Sequence, residues 1–399
     1  MAPPPVKAPP EASPAQPPSK TPPRPTRGAR VQDLSVEEFE ALVVAVAVCE
    51  VGPRGISRSC EPYQAYRNAL RWRGPIARPW REVDRELATR LLGHEDAAVR
   101  YTGAELMGPL LQASFDQLRP LVEATRREVH PGVVKSFVKR LGPSTYRHQE
   151  VRELMMVLGG HLDERVRIEV GNWLTSAQGR GTPGILERAM RMVREDPSER
   201  VRLRVLDDLG DSSDVRVLPF LEPYLEDAEK SPRAHASAVR ALINMWSSPI
   251  PKASPSREAY QRTLTLLNAT PRSEASPPWA AIGGLRWVVE PRFVAAASWF
   301  DRTALVTALE GLITDQAANE KARTASVELL IRYEEPRSRF SKLLARCLRE
   351  GETQGAVVEL LRAATDPKAT ALTPGPTRVP PPGLPIPSAP NASSPAPTP

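Results

Sequence analysis

A short pattern recurs along the chain at nearly constant spacing, and this recurrence restricts the possible folds more than any other feature. Most copies have a residue that commonly caps helices, two further residues, and then a small apolar residue followed by a basic one, as in DERVR at 163–167; in one copy Pro131 takes the place of the capping residue. The apolar residues at this repeated position are Val99, Val134, Val166, Val201 and Ala234, separated by 35, 32, 35 and 33 residues. Such a period is typical of stacked supersecondary units, each of which buries its apolar face against its neighbours.

The residues around the repeated position predict one amphipathic helix per copy. Apolar side chains return four residues later and again seven or eight residues later, which is the spacing of one helical face. Three residues before the repeated position stand Asp96, Asp163, Ser198 and Ser231, all of them good N-caps. Stretches between these helices carry apolar stripes of their own, at 115–128, 150–162, 184–196 and 215–227. Each repeat is therefore predicted to be a helix, a turn and a second helix.

The start of the predicted second helix resembles that of the HEAT-repeat family in its short bacterial form. The resemblance lies in the Asp/Ser-x-x-Val-Arg pattern at 96–100, 163–167 and 198–202. It implies an all-α fold, a right-handed α-solenoid of stacked antiparallel helix pairs. It also implies that the capping residue and the arginine fix the stacking of neighbouring repeats. The residues that would carry this structural role are Asp96, Arg100, Asp163, Arg167, Ser198 and Arg202.

Proline is concentrated near the two ends of the sequence. Residues 1–27 and residues 373–399 each hold 11 of the 44 prolines. Segments with so much proline and so little apolar bulk cannot bury enough surface to offset the entropy of ordering. We therefore predict disordered tails at 1–30 and 367–399. Between them we predict one solenoid of about eight helical pairs at 31–366, with a proline-rich insertion at 247–256.

The sixth residue after the repeated position is polar in every copy. We call these residues the polar column, and we include the corresponding residue of the matching stretch 319–333. The polar column consists of Glu105, Arg140, Asn172, Asp207, Arg240 and Glu328. Stacked helix pairs present an extended concave surface, and such surfaces generally bind proteins or peptides. The polar column is accordingly our predicted partner-binding surface, in a chain that we expect to be monomeric.

The excess of positive charge raises the alternative of a nucleic-acid partner. The net charge is +7, but residues 1–30 carry +4 and residues 367–399 carry +2, which leaves +1 for the predicted solenoid. A nearly neutral body supplies little of the phosphate attraction that DNA binding needs, so nucleic acid is the less favoured partner. Some DNA glycosylases are built of HEAT-like repeats, and under that alternative Trp173 and Trp287 would contact bases while Asp163 or Asp207 supplied a carboxylate.

The sequence contains no recognisable motif for catalysis, for a metal or for a cofactor. The five histidines and three cysteines form no HExxH, HxxxH or CxxC pattern, and AIGGLRW at 281–287 lacks the lysine of a phosphate-binding loop. No Gly-x-Ser-x-Gly elbow occurs, and the spacing of Ser, His and Asp picks out no triad. We therefore expect a non-catalytic scaffold with no metal and no cofactor.

The compartment is left open by the cysteines. Cys49 and Cys60 flank a turn and could pair in an oxidising compartment, but the sequence favours Cys49 and Cys347 as small apolar residues on helix faces. The longest apolar run, 41–49, is too short to cross a bilayer, and no signal peptide opens the chain, so the cytoplasm is the default expectation. The alternative is an envelope-tethered lipoprotein scaffold whose true start lies upstream, because bacterial lipoproteins also carry a flexible Pro/Ala/Ser leader after their lipid-anchored cysteine.

Overall fold

A computed structural model gives the structure of the protein for residues 35–73, 82–107, 114–226, 231–247, 255–269 and 297–366, and for Ile282, Leu285, Val288 and Phe293. The predicted tails, most of the predicted insertion at 247–256 and most of the stretch 276–290 lie outside these residues. The chain forms two compact units, one within residues 1–173 and one within residues 174–399, and each is described by itself.

The described part of the chain is all-α apart from one small hairpin. The helices of the first unit are α1 (Val36–Val44), α2 (Glu61–Arg73), α3 (Glu82–Leu91), α4 (Ala97–Leu106), α5 (Phe115–Arg127), α6 (Pro131–Leu141), α7 (Gln149–Leu158) and α8 (Glu164–Leu174), which ends at the boundary. The helices of the second unit are α9 (Ile185–Glu195), α10 (Glu199–Asp208), α11 (Val217–Glu226), α12 (Pro232–Ser247), α13 (Arg257–Asn268), α14 (Arg302–Thr314), α15 (Glu320–Arg332), α16 (Arg337–Arg349) and α17 (Ala356–Thr365).

Within each unit the helices stack as the repeat pattern predicts. A second helix packs on the first helix of its own repeat and also on the second helix of the next repeat. In the first unit α4 contacts α6, and α6 contacts α5; in the second unit α10 contacts both α9 and α12, and α15 contacts both α14 and α17. This succession of contacts is that of an α-solenoid, and it confirms the predicted fold class.

The residues at the repeated position belong to the buried core. Val99, Val166 and Val201 are completely buried, and Val134 and Ala234 are buried as well. Burying a side chain of this kind in every repeat contributes roughly 1.5–3 kcal/mol each, so the pattern that identifies the repeats also supplies their cohesion.

The second unit adds an aromatic cluster beyond α12. Trp246 is completely buried and lies against Tyr260, Phe293 and Phe300, with ring centroids between 5.0 and 6.1 Å from its own. Its indole Nε1 donates a hydrogen bond of 2.9 Å to Thr263 Oγ1, so the one polar atom of the ring is satisfied.

The first unit contains a feature that the sequence analysis did not predict. Strands β1 (Val51–Gly52) and β2 (Gly55–Ile56) form an antiparallel hairpin that packs on α4 and α6. The turn needs Gly55, which has a φ of +97° and stands where a Cβ atom would clash with the hydroxyl of Tyr101.

The hairpin also joins two cysteines. It turns the chain back on itself, so Cys49 and Cys60 come within 6.0 Å (Cα to Cα) and form a disulfide. The preferred interpretation of Cys49 as an unpaired apolar residue was wrong, because it considered the helix face and missed the hairpin. Cys347 is a buried free thiol on α16, as expected. No helix in the described ranges is both long enough and apolar enough to span a bilayer.

Candidate functional site

The arginine that follows the repeated position connects its helix to the preceding turn and to the next repeat. Arg100 Nη1 donates to the carbonyl oxygens of His94 and Glu95 at 2.8 and 2.6 Å, in the turn that precedes α4. Its Nε and Nη2 form a two-point ion pair with Glu128 at 2.6 and 2.9 Å. Glu128 ends α5 and precedes α6, so one guanidinium ties together two successive repeats.

The same arrangement recurs at the other arginines of this position. Arg167 Nη1 donates to the carbonyl of His161 at 2.7 Å, and Arg202 Nη1 donates to the carbonyl of Asp196 at 2.6 Å. Arg323, in the last matching stretch, donates to the carbonyl of Ile313 at 2.8 Å and pairs with Glu352. Each of these arginines bonds back to the chain that precedes its helix, and Arg100 and Arg323 also form an ion pair with the next repeat.

The capping residues divide into two kinds. Asp163 accepts from the backbone N–H of Arg165 at 2.8 Å and also pairs with the Arg165 guanidinium, and this hydrogen bonding holds its pKa low, at about 2. Asp96 and Ser198 occupy the N-cap positions of α4 and α10 in an extended backbone conformation, without a side-chain capping hydrogen bond.

A second series of turn residues was missed by the sequence analysis. Two residues before the N-cap, a side chain accepts the backbone N–H of the capping residue: His94 for Asp96 at 3.1 Å and His161 for Asp163 at 3.0 Å. Asp196 does the same for Ser198 at 2.9 Å. In both histidines Nδ1 is the accepting atom. The sequence contains the pattern that would have identified them, because these three residues stand at the same distance before the repeated position.

The first pair of the polar column comes together in the first unit. Glu105 on α4 and Arg140 on α6 lie 3.6 Å apart, measured from Oε1 to Nη2. The Glu105 side chain is 6% exposed, whereas that of Arg140 is 28% exposed, so the pair is buried on its acidic side and open on its basic side. Residues at the same place in two successive repeats are therefore joined by an ion pair.

Glu105 also receives two groups from α2 that the sequence analysis missed. Tyr63 Oη donates to its carboxylate at 3.2 Å, and Arg67 Nη1 lies 3.4 Å from Oε1. Burial raises the pKa of Tyr63 and of Tyr101, which packs against it, and the Glu105 charge adds to the effect. Both phenols therefore stay protonated, and Tyr63 serves as a hydrogen-bond donor to Glu105. Tyr63 and Arg67 lie outside the repeat pattern, which is why no column identified them.

The second pair of the polar column comes together in the second unit. Asp207 on α10 and Arg240 on α12 form a close ion pair through Arg240 Nε, and Arg240 Nη2 also donates to Ser237 Oγ at 3.0 Å. Their side chains are 20% and 31% exposed. This pair has the same repeat-to-repeat connection as the pair in the first unit, with an acid on the earlier helix and an arginine on the later one.

Two further carboxylates follow Asp207 at the end of α10. Burial raises the pKa of Asp208 to about 7 and that of Asp211 to about 6, although Arg204 opposes the shift in both. The ion pair between Arg204 Nε and Asp208 Oδ2 measures 3.0 Å. Asp208 is therefore only partly ionised near neutral pH, and the surface beside Asp207 gains negative charge as the pH rises.

The remaining two residues of the polar column are not brought into these pairs. Asn172 is half-buried on α8, and Glu328 is exposed on α15. The structure thus joins four of the six predicted residues in two ion pairs, one in each unit, and places the other two separately.

The two carboxylates of the glycosylase alternative are each paired with an arginine. Asp163 pairs with Arg165, and Asp207 pairs with Arg240. Trp173 is half-buried, and Trp287 lies outside the described residues. Among the residues that the structure describes, no three His, Cys, Asp or Glu side chains form a group able to hold a metal ion.

Together, the stacked helix pairs and the ion pairs between successive second helices define a helical-repeat protein with a HEAT-like fold. No family model matches the sequence, and no curated protein matches it. Several solved structures are similar. The karyopherin Kap121p bound to the extreme C-terminus of the protein phosphatase Cdc14p has a TM-score of 0.42 and 13% identity over 83% of this chain and 38% of its own. The complex of CpcE and CpcF of phycocyanin lyase from Nostoc sp. PCC7120 has a TM-score of 0.32 and 15% identity over 72% of this chain and 97% of that one. The chain therefore spans well under half of Kap121p, and at this identity the likeness concerns the fold alone.

Proposed function

We propose that the protein is a non-catalytic scaffold that binds a protein or peptide partner along its second helices, at the polar column. One observation carries this proposal: oppositely charged residues of the column pair from repeat to repeat while their arginines stay partly exposed. Arg140 and Arg240 keep 28% and 31% of their side-chain surface accessible, and each is held in place by an acid. Guanidinium groups held in this way can donate hydrogen bonds to carboxylates or carbonyls of a partner at little further cost in side-chain entropy.

The charge distribution supports a protein partner over DNA. The polar column alternates in sign, Glu105 with Arg140 and Asp207 with Arg240, and it offers no continuous run of positive charge for a phosphate backbone. The neighbouring Asp208 and Asp211 would repel phosphates further. An alternating surface is suited to a partner that carries charges of both signs, which is the ordinary condition of a protein surface.

The test is affinity capture from an extract of the source organism, with the full chain as bait. The variant Asp207→Asn/Arg240→Gln removes one ion pair of the polar column. The matched control Arg346→Gln/Glu350→Gln removes the 2.9 Å ion pair at the end of α16, which is the first helix of its repeat. We expect a partner that is captured by the wild type and the control and lost from the column variant. Equal capture by all three proteins, or capture of no partner by the wild type, would contradict the proposal.

The disulfide supports a second proposal, that the scaffold works in an oxidising compartment such as the cell envelope. Disulfides persist outside the reducing cytosol, and the bond between Cys49 and Cys60 closes the hairpin that packs on α4 and α6. Trapping of free thiols with a maleimide in intact source cells, followed by mass spectrometry, tests it. We expect Cys49 and Cys60 to be unlabelled before reduction and labelled after it. Full labelling before reduction would place the protein in a reducing compartment.

A further inference from the structure

A groove in the second unit lies apart from the polar column. Helices α9, α10, α11 and α12 enclose a space of about 330 Å³, whose apolar part is formed by Val193, Leu203 and Leu206. Its polar part is formed by Arg194, Arg202 and Tyr224. The volume is at the lower end of the range for ligand-binding pockets, and it suits one or two side chains of a peptide.

The two arginines of the groove bring positive charge without a carboxylate of their own. Arg194 lies over the Phe220 ring, 4.8 Å from its centroid, and in the described part of the chain it forms no ion pair. Arg202 uses Nη1 to hold the carbonyl of Asp196, and it too forms no ion pair with a described acid. A guanidinium has five N–H donors, so each arginine retains donors for a ligand.

Arg194 and Arg202 line the same groove as Tyr224. Burial raises the pKa of this phenol, and the positive charges of Arg194 and Arg202 act on it in the opposite direction. Among the described residues that line the groove, the one acid is Glu199, whose carboxylate lies 3.7 Å from the Arg233 guanidinium. The groove therefore has a positive rim, a phenol donor and an apolar floor.

We propose that this groove binds a carboxylate side chain of an acidic peptide segment, with an apolar neighbour of that residue on the floor. An arginine guanidinium binds a carboxylate through two parallel hydrogen bonds, and the Tyr224 hydroxyl provides a further donor. The apolar part of the lining favours a peptide over a free inorganic anion, because the half-buried Leu203 can pack against a hydrocarbon group. This site is independent of the polar column, since Asp207 and Arg240 do not line it.

Fluorescence polarisation with the full chain tests the proposal, with a labelled peptide Gly-Leu-Glu-Glu-Leu-Gly as the probe. We expect the matched peptide with Gln in place of Glu to bind about tenfold more weakly, because charge-assisted hydrogen bonds are lost. Arg194→Gln and Tyr224→Phe should each weaken binding of the acidic peptide severalfold. Arg191→Gln, an exposed residue one turn earlier on α9, should leave it unchanged.

Several results would overturn the proposal. The first is equal binding of the acidic peptide and the Gln peptide. The second is equal binding of the acidic peptide by the wild type and by Arg194→Gln. The third is absence of binding by the wild type at about 1 mM protein. Complete displacement of the peptide by equimolar inorganic phosphate would show a simple anion site and would also overturn it. The Asp207→Asn/Arg240→Gln variant should bind the peptide as the wild type does, so loss of partner capture and loss of peptide binding are separable outcomes.

Discussion

Replacement of Arg100 by Met keeps most of the side-chain volume and removes a charge that holds two repeats together. The wild-type guanidinium makes four hydrogen bonds, two to Glu128 and two to the carbonyls of His94 and Glu95. The Glu128 side chain is only 2% exposed and that of Arg100 is 18% exposed, so the substitution leaves a buried, uncompensated carboxylate. Breaking such a pair costs about 3 kcal/mol or somewhat more.

The double variant Arg100→Met/Glu128→Gln separates the lost attraction from the stranded charge. A neutral Gln can still accept the backbone N–H groups of Val129 and His130, which Glu128 accepts at 3.0 and 2.9 Å. We therefore expect the double variant to recover about 2 kcal/mol relative to Arg100→Met. Removal of the exposed pair Arg119–Asp116 by Arg119→Met should change stability little.

The assay is urea unfolding followed by circular dichroism, with hydrogen exchange of peptides from α4 to α6 to locate the effect. Burial tends to raise the pKa of Glu128, but its bonds to Arg100 and to the backbone outweigh burial and hold the pKa below 4.5. Because the folded pKa is lowered, this stabilisation is present above the unfolded value and is lost as the pH falls through the folded one. The variant should lose this acid-side dependence. A cost below about 1 kcal/mol, or an unchanged acid dependence, would refute the reasoning.

Three further predictions test other parts of the structure. Asp208→Asn should stabilise the protein by about 2 kcal/mol at pH 8, and the gain should shrink towards pH 4. Burial raises the folded pKa of Asp208 to about 7, so the wild type loses stability as the pH rises from the unfolded pKa of 3.8 to about 7, and the loss stays constant above that; urea unfolding across this range measures it. Trp246→Ala should cost about 3–5 kcal/mol and Trp246→Phe clearly less, because the phenyl ring keeps most of the buried area while Thr263 loses only one partner; the same assay compares them. Reduction should lower the unfolding temperature of the wild type, by the equivalent of about 3 kcal/mol, and should have no effect on Cys49→Ser/Cys60→Ser.

The repeated pattern predicted those parts of the fold that depend on periodicity. Burial of Val99, Val166 and Val201, and the stacking of their helices, follow from apolar spacing that any one copy already contains. The pairing of Asp207 with Arg240 was also accessible in principle, because both residues hold the same place in successive repeats. Equivalent positions in a solenoid lie side by side, so opposite charges there can be expected to meet.

Features outside the periodicity could not be predicted in the same way. The disulfide between Cys49 and Cys60 depends on a hairpin of four paired residues, which is too short to show an alternating pattern. Tyr63 reaches Glu105 from a helix of different register, 42 residues away in the sequence. The groove around Tyr224 is formed by four helices together, and only their packing places Arg194 and Arg202 beside this side chain in one lining.

Hydrogen exchange of the protein with and without its captured partner tests the central proposal most directly. Binding along the polar column should slow amide exchange in the second helices α4, α6, α10 and α12 or in the turns that adjoin them. The first helices α5, α7, α9 and α11 should change little, and the Asp207→Asn/Arg240→Gln variant should show no slowing in α10 and α12. Protection confined to the first helices, or equal protection in that variant, would contradict the assignment of the polar column as the binding surface.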